Sequence, residues 1–181
     1  VYKEIDKRTI YTILCRPMHR SEFILGKYFG LAALLAVVTV VMASVAALYV
    51  VILGGSIDLI FFQAVLLIYW QLLLITALAV LLSALTSPVL GAIIVFSTFV
   101  VGHATTIFTD LPPQFDGTVS KHLLQAIYSI IPHLSNFDIR AEAANGVPVA
   151  SGYVMWALLY GTVYTAVLLV IASLAFQDKD V

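Results

Sequence analysis

The sequence holds one cysteine, Cys15. That excludes an intrachain disulfide framework and any zinc site built from cysteines. Charge is scarce: Asp, Glu, Lys and Arg make up 10% of the 181 residues, against roughly 25% in soluble proteins. No such residue stands between Lys27 and Asp58, between Asp58 and Asp110, or between Glu142 and Asp178. The net charge of −1 leaves no basic field for nucleic acid. The P-loop pattern G-x-x-x-x-G-K-[ST] is missing, as are H-E-x-x-H and G-x-S-x-G, so no phosphate cradle, zincin helix or nucleophile elbow is encoded. Nothing points to a catalytic residue or a bound cofactor.

What is abundant is apolar surface. Hydrophobic residues make up 62% of the chain, more than a soluble globule of this size could bury, and the mean hydropathy is +1.06. The same numbers exclude disorder. A polytopic membrane protein is left.

A span needs about 20 mostly apolar residues. Four stretches qualify, at about 28–53, 59–85, 89–108 and 153–176. Each is expected to be a helix, because lipid cannot satisfy open backbone groups. The runs are apolar all round and lack the alternation of a barrel strand. Gly54-Gly55-Ser56 marks a short turn between the first two. Thr86-Ser87-Pro88 marks a tight hairpin between the next two, with Pro88 in a first helical turn where its missing N–H is harmless.

Six of the nine Lys and Arg precede the first span: Lys3, Lys7, Arg8, Arg16, Arg20 and Lys27. The positive-inside rule places this end in the cytoplasm, and four crossings return the C-terminus there. Residues 109–152 are then extracytoplasmic. Within them Leu123, Leu124, Ile127, Ile130, Ile131 and Leu134 recur at helical spacing, which predicts an outer amphipathic helix over about 120–134, ended by Pro132. It reads as an interfacial cap or a gate at the mouth of a pathway. Asn145-Gly146 reads as a turn before the last span.

The first 27 residues form a separate cytoplasmic segment, and 28–181 the transmembrane domain. A short amphipathic helix is expected from about Glu4 to Leu14. Arg16 before Pro17 is held extended, and Ser21 can cap a second helix whose first turn carries Glu22. The resulting bend bears Arg16 and Arg20. It suits either anionic lipid heads or a cytoplasmic protein; the acidic Glu4, Asp6 and Glu22 favour the latter.

Arg8-Thr9-Ile10, Leu14, Arg16-Pro17, Arg20, Phe23 and Gly26-Lys27, with the closing Phe176-Gln177-Asp178-Lys179-Asp180, resemble the permease subunits of ABC-2 type transporters. The likeness is greatest to permeases grouped with multicopper-enzyme and nitrous-oxide-reductase maturation. It implies that the bend is a coupling helix docked on a separate cytoplasmic ATPase subunit, through Arg8, Thr9, Tyr11, Arg16, Pro17, Arg20 and Glu22. Gly26 and Lys27 would mark where the helix enters the membrane. It further implies a homodimer or paired permease, export as the common direction, residence in the cell membrane, and two further helices upstream. A non-transporting scaffold and an ion-coupled carrier are the alternatives; the carrier suffers from spans without Asp, Glu, Lys or Arg.

Polar residues inside spans are fewer and ambiguous. His103, near the outer end of the third span, either lines a substrate route or bonds Thr106 or a neighbouring helix. Gln71, Thr76, Ser97 and Thr98 share that ambiguity. Tyr69 and Trp70 lie mid-span and are read as packing residues. Gly26-x-x-x-Gly30 and Ala43-x-x-x-Ala47 permit close helix approach. His122 and His133 are too far apart along a helix to share an ion, so no metal site is assigned.

Overall fold

The computed structural model describes residues 20–103 and 132–177. Five α-helices and one 3-10 turn are found there, with no strand among the described residues. Helix α1 is Arg20–Ile52, α2 Leu59–Leu85, α3 Pro88–His103, α4 Arg140–Asn145 and α5 Ser151–Gln177, and the 3-10 turn Leu134–Phe137 lies between α3 and α4. At 1.5 Å per residue α1 is about 50 Å long and α2 and α5 about 40 Å each, all beyond the roughly 30 Å hydrocarbon core. These three are long and apolar enough to cross a membrane. Helix α3 is equally apolar but has 16 residues, about 24 Å. The stretch that would extend it to residue 108 lies outside the described residues.

Helix α2 is the axis of the bundle. Its buried residues Ile60, Ala64, Leu67, Gln71, Leu74, Ala77, Leu81 and Ala84 recur at steps of three or four, with Val80 buried beside them, the seam of a helix clasped by others. Helix α5 is its main neighbour, and α1 packs on both. Two apolar clusters fix the directions. One joins Ile24 and Tyr28 of α1 to Ala77, Val80 and Leu81 of α2 and to Leu168, Ala172 and Phe176 of α5. The other joins Ile60, Ala64, Leu67 and Leu74 of α2 to Val154 and Ala157 of α5 and to Leu134, Phe137 and Ile139. Hence α2 and α5 run parallel, α1 runs against both, and the bundle has a proximal end at Arg20 and a distal end where α1 finishes at Ile52 and α2 begins at Leu59.

The turns follow the sequence reading. Gly54 adopts φ +76° after α1, a left-handed conformation open to glycine. Pro88 opens α3, and Gly91 N–H bonds Ser87 C=O at 2.9 Å within that first turn. Gly146, at φ +65°, closes α4 as a left-handed cap.

Three expectations are corrected. Helix α1 begins at Arg20, so Ser21 lies inside it and does not cap it. Nothing lies within 4 Å of a Cβ built at Gly26 or Gly30, so the close approach permitted there is not made within the described chain. Leu134 belongs to a 3-10 turn rather than to the end of an α-helix. The rest of the expected amphipathic helix, at 120–131, lies outside the described residues.

Candidate functional site

Two places in the bundle carry more than apolar packing, one at its proximal end and one midway along α2. At the proximal end, Ile24, Tyr28 and Ala32 form a stripe at steps of four and are 0%, 5% and 8% exposed. Phe23 stacks on Phe176 with ring centroids 6.0 Å apart, and the Lys27 ammonium lies 5.9 Å from the Phe23 ring. Glu22 projects outward in the first turn, where a carboxylate complements the helix dipole. The first turns of α1 are therefore clamped to the last turns of α5 and α2. Phe23 and Ile24 sit among charged residues in sequence; the fold buries Ile24 in the core and packs the partly buried Phe23 against it. Of the expected docking residues, Arg8, Thr9, Tyr11, Arg16 and Pro17 lie outside the described residues, and Arg20 is the first residue of α1.

Halfway along α2, Gln71 occupies the seam and is 7% exposed. Its side-chain amide nitrogen lies 2.9 Å from His103 Nε2. His103 Nδ1 lies 3.0 Å from the Phe99 carbonyl, one turn back on α3. A carbonyl only accepts, so Nδ1 carries the hydrogen and donates, which leaves Nε2 to accept from Gln71. Phe99 also covers the imidazole, with centroids 4.4 Å apart. Of the two sequence readings of His103, the bond to a neighbouring helix is the one observed. Two further polar links cross the bundle: Trp70 Nε1–H donates to Thr162 Oγ1 at 3.0 Å, and Tyr69 O–H donates to the Ala32 carbonyl at 3.2 Å. Both residues pack mid-span, as their positions suggested. Thr76 bonds its own helix at the Leu72 carbonyl.

The stretch 132–139, between α3 and α4, folds into the bundle. Leu134 and Phe137 are fully buried, and Ile139 is 3% exposed. A Cβ at Gly102 would meet Leu134 side-chain carbons at 2.9 Å, and one at Gly161 would meet the Phe137 ring at 2.8 Å. Each glycine thus provides the recess in which a side chain of the 3-10 turn sits. Tyr160 O–H accepts from His133 N–H at 3.1 Å, and Tyr153 O–H donates to the Asn136 carbonyl at 3.0 Å. Burying one such large apolar side chain is worth roughly 1.5–3 kcal/mol. Just beyond, Arg140 clasps Asp138 through Nε and one terminal nitrogen, both at 2.8 Å. This fork holds the Asp138 carboxyl below its ordinary range and raises the guanidinium further. Both side chains are largely exposed, so the pair adds little stability. The sequence signal for this arrangement was present but unspecific: glycines inside apolar spans, and Leu-Ser-Asn-Phe straight after Pro132-His133.

An open groove of about 500 Å³ runs between α2 and α3, from Ser83 and Ser87 to Phe99. Among the described residues no cluster of His, Cys, Asp and Glu is arranged to hold a metal ion.

Long apolar helices, a buried polar pair and a folded-in connecting segment define a polytopic helical membrane protein. The chain belongs to the ABC-2 transporter family: the family model described as ABC-2 family transporter protein matches residues 1–181. Members of that family are membrane components rather than the catalytic part of the transporter. No curated protein and no solved structure matches the chain.

Proposed function

We propose that this chain acts as the permease subunit of an ABC transporter, driven by ATP hydrolysis in a separate cytoplasmic subunit that grips the segment before α1. The family match over residues 1–181 supports the permease role. The observation that carries the coupling is the clamped start of α1. The helix runs unbroken from Arg20 to Ile52, and its first turns pack through Ile24 and Tyr28 onto α2 and α5. A push delivered before Arg20 is passed to all three long helices as a rigid-body tilt, because a packed seam does not deform continuously. Alternating access is such a motion, and the ATPase biases it through contacts that differ between the two states. The docking residues are Arg8, Thr9, Tyr11, Arg16, Pro17, Arg20 and Glu22; Gly26 and Lys27 stand where α1 enters the membrane. Export is the direction proposed, with two permease halves for one ATP sandwich, both termini of this chain cytoplasmic, and the cell membrane as the location.

The test is the double substitution Arg16→Ala/Pro17→Ala in the full-length protein. Membrane insertion should be unchanged, while the amount of ATPase subunit that co-purifies should fall at least tenfold. Full co-purification by the double variant overturns docking at this bend.

A further inference from the structure

We propose that the groove between α2 and α3 seats one acyl chain of a membrane lipid, with the lipid's polar head at Ser83 and Ser87. The groove follows the antiparallel hairpin closed by Thr86-Ser87-Pro88. On α2 it is walled by Ile75, Ala79 and Ser83, a stripe at steps of four, and on α3 it runs from Ser87 to Phe99. Space is left there because Ala79 and Ala92 are too small to fill it. Phe99 closes the far end, with its ring on the His103 imidazole.

Size, polarity and depth select the occupant. The volume is about 500 Å³, and the rise from Ser87 to Phe99 is about 18 Å. Averaged over that length the section is about 28 Å², whereas a helix 10–12 Å across takes about 80–110 Å². A helix of a second copy is therefore too thick, and an extended hydrocarbon chain is not. The hydroxyls stand at the hairpin end alone, and neither Ser83 nor Ser87 bonds another described residue through its side chain. A hydroxyl facing hydrocarbon without a partner is costly, and an ester or phosphate oxygen of a lipid head can accept from it. The run of about 18 Å is close to one leaflet, half of the roughly 30 Å core. A lipid of the leaflet on the proximal side thus has its head level with the hairpin and its chain end at Phe99. The open side of the groove continues the apolar surface of α3, where Val89, Ile93 and Phe96 are all more than half exposed. The seated chain completes the packing that small side chains leave open between α2 and α3. The site requires only a bilayer, so it stands apart from the ATPase reading.

The experiment is photolabelling of the full-length protein in phosphatidylcholine nanodiscs. These contain a small share of a phosphatidylcholine with a diazirine near the end of one acyl chain. After irradiation, mass spectrometry should find Val95 and Phe99 labelled at least five times more than Ile93, on the face of α3 away from the groove. A second probe, with the diazirine in its headgroup, should label Ser83 and Ser87 instead. Ala92→Trp fills the groove from α3 and should cut the labelling of Val95 and Phe99 at least fivefold. Ala79→Leu narrows it from α2 with a milder change and should lower the same labelling at least twofold. Ile93→Trp should leave it unaltered. Equal labelling of Ile93, Val95 and Phe99 shows ordinary surrounding lipid and overturns the site. Labelled Ile93 with unlabelled Val95 and Phe99 shows a groove covered by protein and overturns it as well. Either result leaves docking of the ATPase before α1 untouched.

Discussion

The imidazole of His103 is satisfied on both nitrogens, by Phe99 of its own helix and by Gln71 of α2. The bond joins α2 to α3 where α3 would otherwise hold only through small side chains and Gly102. In lipid such interhelical bonds average about 0.6 kcal/mol and reach about 1.7 kcal/mol. Gln71→Leu and His103→Leu should each destabilise the protein by that order, and the double variant should lose less than the sum. Unfolding in detergent, read as a double-mutant cycle, checks this; additive losses would show that the two side chains are not coupled. Sequence reading found His103 and Gln71 separately, as costly polar groups in apolar spans. It could not pair them, because they stand on different helices and their meeting depends on how tightly the hairpin at Pro88 closes.

At the scale of elements, α1 is the least enclosed of the long helices. Phe29, Leu34, Val41, Met42 and Tyr49 are all more than half exposed, as suits a helix with lipid or another subunit along most of its length. Its two glycines, Gly26 and Gly30, face open space. Replacing both with alanine removes backbone freedom without a clash, so each change should stabilise α1 by roughly 0.5–1 kcal/mol. The melting temperature of the Gly26→Ala/Gly30→Ala variant in detergent should therefore rise or hold. A fall, with loss of oligomer, would show that another subunit approaches at these glycines. The proximal stripe of Ile24, Tyr28 and Ala32 was legible only in part. Apolar spacing was visible, but the charged Glu22 and Lys27 beside it hid that the packed stripe starts in the first turns of α1. The folded-in turn was less legible still, since Leu134-Ser135-Asn136-Phe137 has no period that tells a buried turn from a surface loop.

For the whole molecule, the bundle has a clear polarity. The start of α1, the hairpin at Thr86 and the end of α5 lie at one end. Gly54 and the start of α5 lie at the other, and α3 stops midway, where His103 meets Gln71. The proposed orientation, with the start of α1 on the cytoplasmic side, rests on Lys and Arg before the first span. A cysteine at position 120, between α3 and α5, should react in intact cells with an impermeant thiol reagent, in the Cys15→Ser background. Labelling of Ser120→Cys only after lysis would reverse the orientation.

Sequence alone determined that the chain lives in a membrane, where its helices run and where its turns fall. These follow from local chemistry: long uncharged runs must be helical in lipid, and Gly54, Pro88 and Gly146 break them at backbone positions other residues resist. The proposed coupling segment before α1 rests on sequence alone, through its charges, a proline and the family resemblance. Only the tertiary structure decided which apolar residues form the two cores, that Gln71 bonds His103, and that Leu134 and Phe137 fill recesses at Gly102 and Gly161. Those facts depend on which helix lies beside which. In a chain apolar on nearly every face, periodicity does not say which side turns inward, so the choice falls to small differences in side-chain volume and to a few polar groups seeking partners.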